Sequence, residues 1–591
     1  MRSRKNLDPI TFEVLRSSFS FIAGRMSATL QRTAYSPIIY DMVDFSNALF
    51  NKEGQLIGQA ENCPAHLGSM HFSAQACFEK FGQENLKEGD IVAINDPYGG
   101  GTHTPDITFT MPIYVADTLI GFGVSRGHWT DLGGAAGGAS VSSQHVVEDG
   151  LVIPPTKIFE SRVPRQDIID IIKRNSRLPQ YIEGDLWAHV GALKTGEEGL
   201  QELVKKYGLE IVELAMEETL NYSERRTRRA IKDIPDGEYH GEYYIDCDGV
   251  TEDSIVIRVT LIVKGDEITV DFMGTGGINR GSVNSPKSNT YTAVYYALKF
   301  FLDPECPSNA GYYRPIHIVL PEGTWVNAKP PASTRVCTTV GGEAIANVIW
   351  IALSKAMPDK VNAPCAIPGA TYIGGKNPKE NTYYMLADLP SGGWGASPYG
   401  DGLNVAYARA GNCMDLPPEI AEIENPVYCE RREFITDSGG PGKYRGGLGE
   451  RQTWRLNTES LVAQICDNFK HPALGVQGGK PGKLGRAIVN YGEKGERIVA
   501  GFDGKKWNKS MVANFPLKAG EAYTFEAPGG GGWGDPLDRD PELVREDVID
   551  NFVSLKSAKE DYGVVLDTQT YEIDCDSTNN LRKRKKHRRK R

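Results

Sequence analysis

The stretch that decides the reading is "AINDPYGGGTHTPDITF", residues 93–109. An apolar run ends at Asn95-Asp96-Pro97, three glycines follow, and His103 and Asp106 then stand three apart. A short apolar run bounded by Pro and Gly reads as a strand that stops at a surface. Glycines at that point let the backbone turn tightly and approach a ligand with no Cβ in the way. The imidazole and carboxylate just beyond the turn are side chains that ligate divalent cations.

The motif has a counterpart. "SRGHWTD" (125–131) closes the apolar run "IGFGVSRGH" and repeats His-x-x-Asp, as His128 and Asp131, with the two imidazoles 25 residues apart. If "IVAIND" and the run through Val124 are neighbouring strands, both imidazoles project from one end of a sheet, where functional loops gather. Asp41 and Asp44, ahead of "FSNALF", extend this to a carboxylate and imidazole set suited to Zn, Mn or Fe. Such a metal acidifies a water or polarises a carbonyl. Six of the ten histidines (His66, His71, His103, His128, His145, His189) fall in the first third of the chain. His66 and His145 are candidates to line the same pocket. The alternative, that these are structural histidines with hydrogen-bonded partners, stays open on spacing alone.

Outward from this region, residues 8–34 read as a long helix with Asp8 as cap and Pro9 in the first turn. Residues 44–60 read as two strands around a Lys52-Glu53-Gly54 turn, and 165–177 and 197–234 as helices. After Pro235 come strands, including a hairpin over Lys264-Gly265-Asp266, and apolar helices near 290–302 and 342–357. From about 365, glycine-rich turns and short strands dominate. The expectation is an α+β chain of several mixed sheets, with strand-end loops carrying a metal site and a glycine-rich β part towards the C-terminus. Composition suggests four segments: 1–235 with the metal site, 236–364 of α+β character, 365–540 mainly β, and 541–591, helical and then a basic disordered tail.

Composition bounds the function. The net charge is −10 although the last ten residues carry nine Lys/Arg, so the rest is more acidic still. An acidic body argues against general nucleic-acid binding, while the basic tail is suited to RNA, an acidic partner or a membrane surface. Ten cysteines without a C-x-x-C pair fit reduced thiols in a cytoplasm. No apolar run approaches the ~20 residues that span a bilayer. There is no G-x-x-x-x-G-K-[ST] loop, since "QGGKPGKLG" fails the spacing, and no G-x-S-x-G elbow. "MGTGGINRG" (273–281) reads as a turn. Any ATP used is therefore expected on another chain.

"DFSNALFNKEGQLIGQAENCPAHLGSM", "NDPYGGGTHTPD", "GHWTDLGG", "EDGLVIPPTKIF", "DSGGPGKYRGGLG" and "PGGGGWGDP" occur in series. In this the chain resembles the hydantoinase B/oxoprolinase family from about residue 8 to about 540. The resemblance implies a two-part enzyme. An A-type subunit with an actin-like ATPase fold binds ATP and phosphorylates a carbonyl oxygen, and the B-type chain completes the reaction, as a hetero-oligomer without a membrane. The substrate is then a cyclic amide, a hydantoin or lactam, opened by hydrolysis. A ketone carboxylase component and a non-catalytic scaffold are the alternatives. The implied metal ligands are Asp41, His103, Asp106 and His128, with Asp44 competing for the place of Asp41 and Asp131 supporting His128. Asn95 and His145 are expected to orient substrate, and Glu148 to act as general base.

Overall fold

The computed structural model describes residues 7–60, 62–134 and 141–589. The chain forms two units, one of residues 1–238, 260–342 and 409–416, the other of 239–259, 343–408 and 417–591. The border expected near 235 lies close to the first crossing between them. Those near 365 and 540 fall inside the second unit.

The first unit is built on a seven-stranded sheet. Its strands are β1 (Phe45–Asn51), β2 (Leu56–Gln59), β3 (Ile91–Ile94), β4 (Asp106–Val115), β5 (Thr118–His128), β6 (Thr156–Glu160) and β7 (Val163–Pro164). They lie in the order β2-β1-β5-β4-β3-β6-β7. β4 and β5 form a long hairpin over a two-residue turn, with Ala116 at φ 50°. Both strands are buried through most of their length, so helices must cover both faces. On one face Met70, Ala74, Cys77 and Phe78 of the helix Ser69–Phe81 pack on Ala48, Phe50, Val92, Ile94, Phe122 and Val124. These are alternate residues of β1, β3 and β5, as the two-residue period of a strand requires.

The other face carries the helices Pro9–Thr33 and Pro179–Tyr207. Asp8 caps the first of these by accepting from the N–H groups of Ile10 and Thr11. The sequence pattern places the second helical run only from residue 197, whereas the helix starts at Pro179. Its early turns carry Gly184, Gly191 and Gly196, which read as breakers. In the fold they are contact points: a Cβ on Gly184 would lie 2.2 Å from the Tyr35 ring, and one on Gly196 2.7 Å from Met26 Sδ. Gly208 then ends this helix, and a further one runs from Leu209 to Lys232. The hairpin over Lys264-Gly265-Asp266 forms as expected, with Lys264 paired to Glu267.

The second unit holds two antiparallel sheets of four and six strands between Ala370 and Glu526. The basic segment differs from the expected disorder, being helical from Cys575 to Arg589. Asp574 caps this helix through the Ser577 N–H, and Arg582 donates to the carbonyls of Tyr562 (3.0 Å) and Arg539 (2.8 Å). Lys586 pairs with Asp538 at 2.6 Å. Two carbonyls and one carboxylate from the preceding segments thus partner part of the run. Lys590 and Arg591 lie outside the described residues. Among the described residues one helix, Cys337–Ala356, is long and apolar enough to cross a membrane, and most of it is buried.

Candidate metal centre

Every residue of the site belongs to the first unit. β4 begins at Asp106 and β5 ends at His128, and the two are cross-strand partners. The strand through Val124 is therefore not the neighbour of "IVAIND". β4 lies between them, because the second motif closes a hairpin opened by the first. His103 sits in the turn before β4 and accepts the Asp106 N–H on its carbonyl. The glycine turn is needed for this placement. Gly100 has φ +116°, and a Cβ on it would lie 2.5 Å from the carbonyl oxygen of Phe72.

Three side chains converge. His103 Nε2 lies 2.9 Å and His128 Nδ1 3.1 Å from Asp106 Oδ1. All three residues are buried, and their donor atoms lie within 4.8 Å of one another. Asp106 Oδ2 is held from behind by Arg126 Nη2 at 2.8 Å and by the Thr102 hydroxyl at 3.0 Å. The fully buried Arg126 also donates to Ser69 Oγ and Thr102 Oγ1. Burial alone would raise the pKa of Asp106, but His103, Arg126 and His66 hold it well below the usual carboxylate range.

The tautomer of His103 is fixed. Its Nδ1–H donates to the Arg335 carbonyl at 3.0 Å. Burial lowers its pKa, which favours the neutral ring. A neutral ring with the proton on Nδ1 turns the Nε2 lone pair towards a carboxylate oxygen 2.9 Å away. A shared proton or a bound metal ion between the two atoms satisfies both at that distance. His128 adds a second imidazole nitrogen at the same oxygen, and its own Nε2 is buried without a partner. The donor set of two imidazoles and a carboxylate fits Zn, Mn or Fe.

Asp44, rather than Asp41, reaches the imidazoles. Asp44 Oδ2 is 3.8 Å from His128 Nδ1, and its Oδ1 is 3.6 Å from His66 Nε2. Asp41, at the end of a short helix, has a buried Oδ2 without a hydrogen-bond partner, and burial raises its pKa. His66 also lies 3.5 Å from Asp106 Oδ2. Burial would lower its pKa, but Cys63 and Asp106 push it up to about 10.

The remaining expected residues have other hydrogen-bond partners. Asp131 does not support His128: its carboxylate accepts from the Arg177 side chain (2.9 Å) and backbone (2.5 Å), having turned away past the end of β5. Asn95 is fully engaged with the backbone. Its amide donates to the carbonyls of Thr104 and Leu151 and accepts from the Ile153 N–H, so it staples the loop. His145 caps a short turn through the Val147 N–H. Glu148 is exposed and accepts from the Gln144 N–H.

The sequence pattern does not single out Asp149, the buried neighbour of Glu148. It accepts from Ser333 Oγ (2.6 Å) and the Thr334 N–H (2.9 Å), next to the Arg335 carbonyl that orients His103. Burial pushes its pKa up to about 6. Arg126 is also missed, although an arginine in the apolar run "IGFGVSRGH", two residues before His128 and so on the same strand face, is the visible signal.

Known proteins resemble the chain over nearly its whole length. The profile of the hydantoinase B/oxoprolinase family matches residues 8–536. The B-type component of a putative D-/L-hydantoinase of Pseudomonas sp. (strain NS671) is 32% identical, over 98% of both chains. The crystal structure of the ATP-dependent caprolactamase from Pseudomonas jessenii superposes with a TM-score of 0.90 at 31% identity, covering 98% of this chain and 100% of that one. An acetone carboxylase structure shares the fold, with a TM-score of 0.88 at 21% identity over 100% of this chain and 84% of that one. The chain belongs to the hydantoinase B/oxoprolinase family.

Proposed function

We propose that this chain is the ring-opening component of an ATP-dependent cyclic-amide hydrolase, acting on a hydantoin or lactam whose carbonyl oxygen an A-type partner has phosphorylated. The observation that carries this reading is the convergence of His103 Nε2 and His128 Nδ1 on Asp106 Oδ1. The absence of a phosphate loop agrees with ATP being bound by the partner. The similar hydantoinase chain is named as one of that enzyme's subunits, which agrees with a hetero-oligomer.

An amide carbonyl is a poor electrophile, and a phosphoryl group on its oxygen turns that oxygen into a leaving group. His103, Asp106, His128 and Asp44 would hold the divalent metal, which when bound supplies a Lewis acid and an acidified water. The chain's own residues prepare this place. The Arg335 carbonyl keeps the His103 proton on Nδ1, so Nε2 faces inward. Arg126 and Thr102 occupy one oxygen of Asp106, which leaves the other for the imidazoles. Asp149 and Asn95 fix the loops on which these groups stand. His145 and Glu148 remain the proposed substrate-side groups, for orientation and for proton removal.

The test is an assay of the chain combined with an A-type partner, ATP and a panel of hydantoins, caprolactam and 5-oxoproline, beside a second arm of acetone and acetophenone with bicarbonate. Ring opening coupled to ATP hydrolysis, abolished by His103→Ala, is expected. ATP hydrolysis that yields a carboxylated ketone only with bicarbonate would overturn the hydrolase reading.

A further inference from the structure

The basic run near the end of the chain is divided in two by its own helix. Residues Cys575–Arg589 are helical, and from Arg582 to Arg588 every side chain is a lysine, arginine or histidine. Three of them hold the helix to the rest of its unit. Arg582 donates to the Tyr562 and Arg539 carbonyls, Lys585 to the Glu560 carbonyl, and Lys586 pairs with Asp538. Lys583, Arg584, His587 and Arg588 take no part in these bonds and are exposed. At about 3.6 residues per turn, these four fall on one side of the helix and the three anchors on the other. Arg584 and Arg588 stand four apart, where like charges oppose a helix, so the anchors are what keep the cations in this array.

We propose that this outward face, Lys583, Arg584, His587 and Arg588, binds the phosphate backbone of single-stranded RNA without reading its bases. The face carries charge and no apolar side chain. A helix that lies in a membrane surface needs an apolar side, and the core of a protein interface is built from apolar and aromatic anchors. A phosphate backbone is held by charge. The two arginines present forks that match phosphate oxygens. The helix contains no Phe, Tyr or Trp on which a base could stack, so the contact is with the backbone. The rest of the chain is strongly acidic, which repels a polyanion and confines the contact to this helix. A single strand, less densely charged than a duplex, meets less of that repulsion. The surface is independent of the metal centre and of the hydrolase reading.

The test is fluorescence anisotropy of a labelled, mixed-sequence RNA strand titrated with the full chain at low salt. Binding is expected, with the logarithm of the association constant falling against that of salt at a slope of about −2 or steeper, the value for three phosphates neutralised on a single strand. The triple variant Lys583→Glu/Arg584→Glu/Arg588→Glu should weaken it at least ~10-fold. The charge-matched triple Lys494→Glu/Lys505→Glu/Lys506→Glu, at exposed positions of the same unit, should not. The first triple leaves Arg582, Lys585 and Lys586 in place, so its thermal unfolding should match the wild type and separate lost binding from misfolding. No binding by the wild type, no loss in the first triple, or equal loss in both would overturn the proposal. So would tighter binding to polyglutamate, which would assign the face to an acidic protein, or to phosphatidylserine vesicles, which would assign it to a membrane. His103→Ala should bind the RNA as the wild type does.

Discussion

Asp106 and His128 face each other across the β4–β5 hairpin, with Asp106 Oδ1 3.1 Å from His128 Nδ1. The pairing explains why two His-x-x-Asp motifs recur in the sequence. One strand leaves the site and the next returns to it, so the imidazole separation is the hairpin's length plus the turn that carries His103. Only the first motif contributes its aspartate to the site. The second, Asp131, has passed the strand end and pairs with Arg177.

Asp106 neutralises the fully buried Arg126, so it supports the fold as well as the site. Removing one partner of a buried pair leaves an uncompensated charge and costs roughly 3–5 kcal/mol. Asp106→Ala should lose that much in urea unfolding, whereas His103→Ala should lose far less. Equal stability of Asp106→Ala and wild type would contradict the pairing.

The choice between Asp44 and Asp41 can be read from metal affinity. Asp44→Asn should weaken binding of Mn²⁺ or Zn²⁺ by at least ~10-fold, the scale seen when groups supporting a metal site are removed. Asp41→Asn should change it little. Calorimetric titration of both variants decides, and the reverse ranking would return the role to Asp41, whose buried oxygen is unpartnered.

Asp149 supports His103 at one remove. Asp149→Ala leaves the Ser333 hydroxyl and the Thr334 N–H unpaired in the interior. Each such loss costs about 1–3 kcal/mol. Denaturant melts should show this destabilisation, and metal affinity should fall with it. Glu148→Ala, at an exposed position, should leave stability unchanged.

His189 sets an acid limit. Burial, with the charge of His66 adding to it, pulls its pKa down from 6.5 to about 3. The unfolded chain then binds a proton below pH 6.5 that the folded chain refuses. This contribution to stability is full above pH 6.5 and falls as pH drops towards 3, at up to about 1.4 kcal/mol per unit. His189→Gln should flatten the profile over this window. An unchanged slope would show that another group controls it.

Much of the site is legible in the sequence because its residues are short-range. His103 and Asp106 share one turn, and His128 ends a recognisable apolar run. Partners chosen by the fold are not legible in this way. Arg335 orients His103 from 232 residues away, and the Ala410 carbonyl accepts from the Cys63 thiol across 347 residues. The start of the helix Pro179–Tyr207 is hidden because its glycines, isolated in sequence, have a packing role visible only against Tyr35 and Met26. The order of β3, β4 and β5 differs from the expected one because a hairpin's strands can pair on either side of what precedes them.

The most direct measurement is metal analysis by plasma mass spectrometry of the purified chain, wild type beside His103→Ala. The account predicts that the variant remains folded and loses about one equivalent of Mn, Zn or Fe, the number a single site requires. Equal metal content in the two proteins, or none in the wild type after reconstitution, would contradict it.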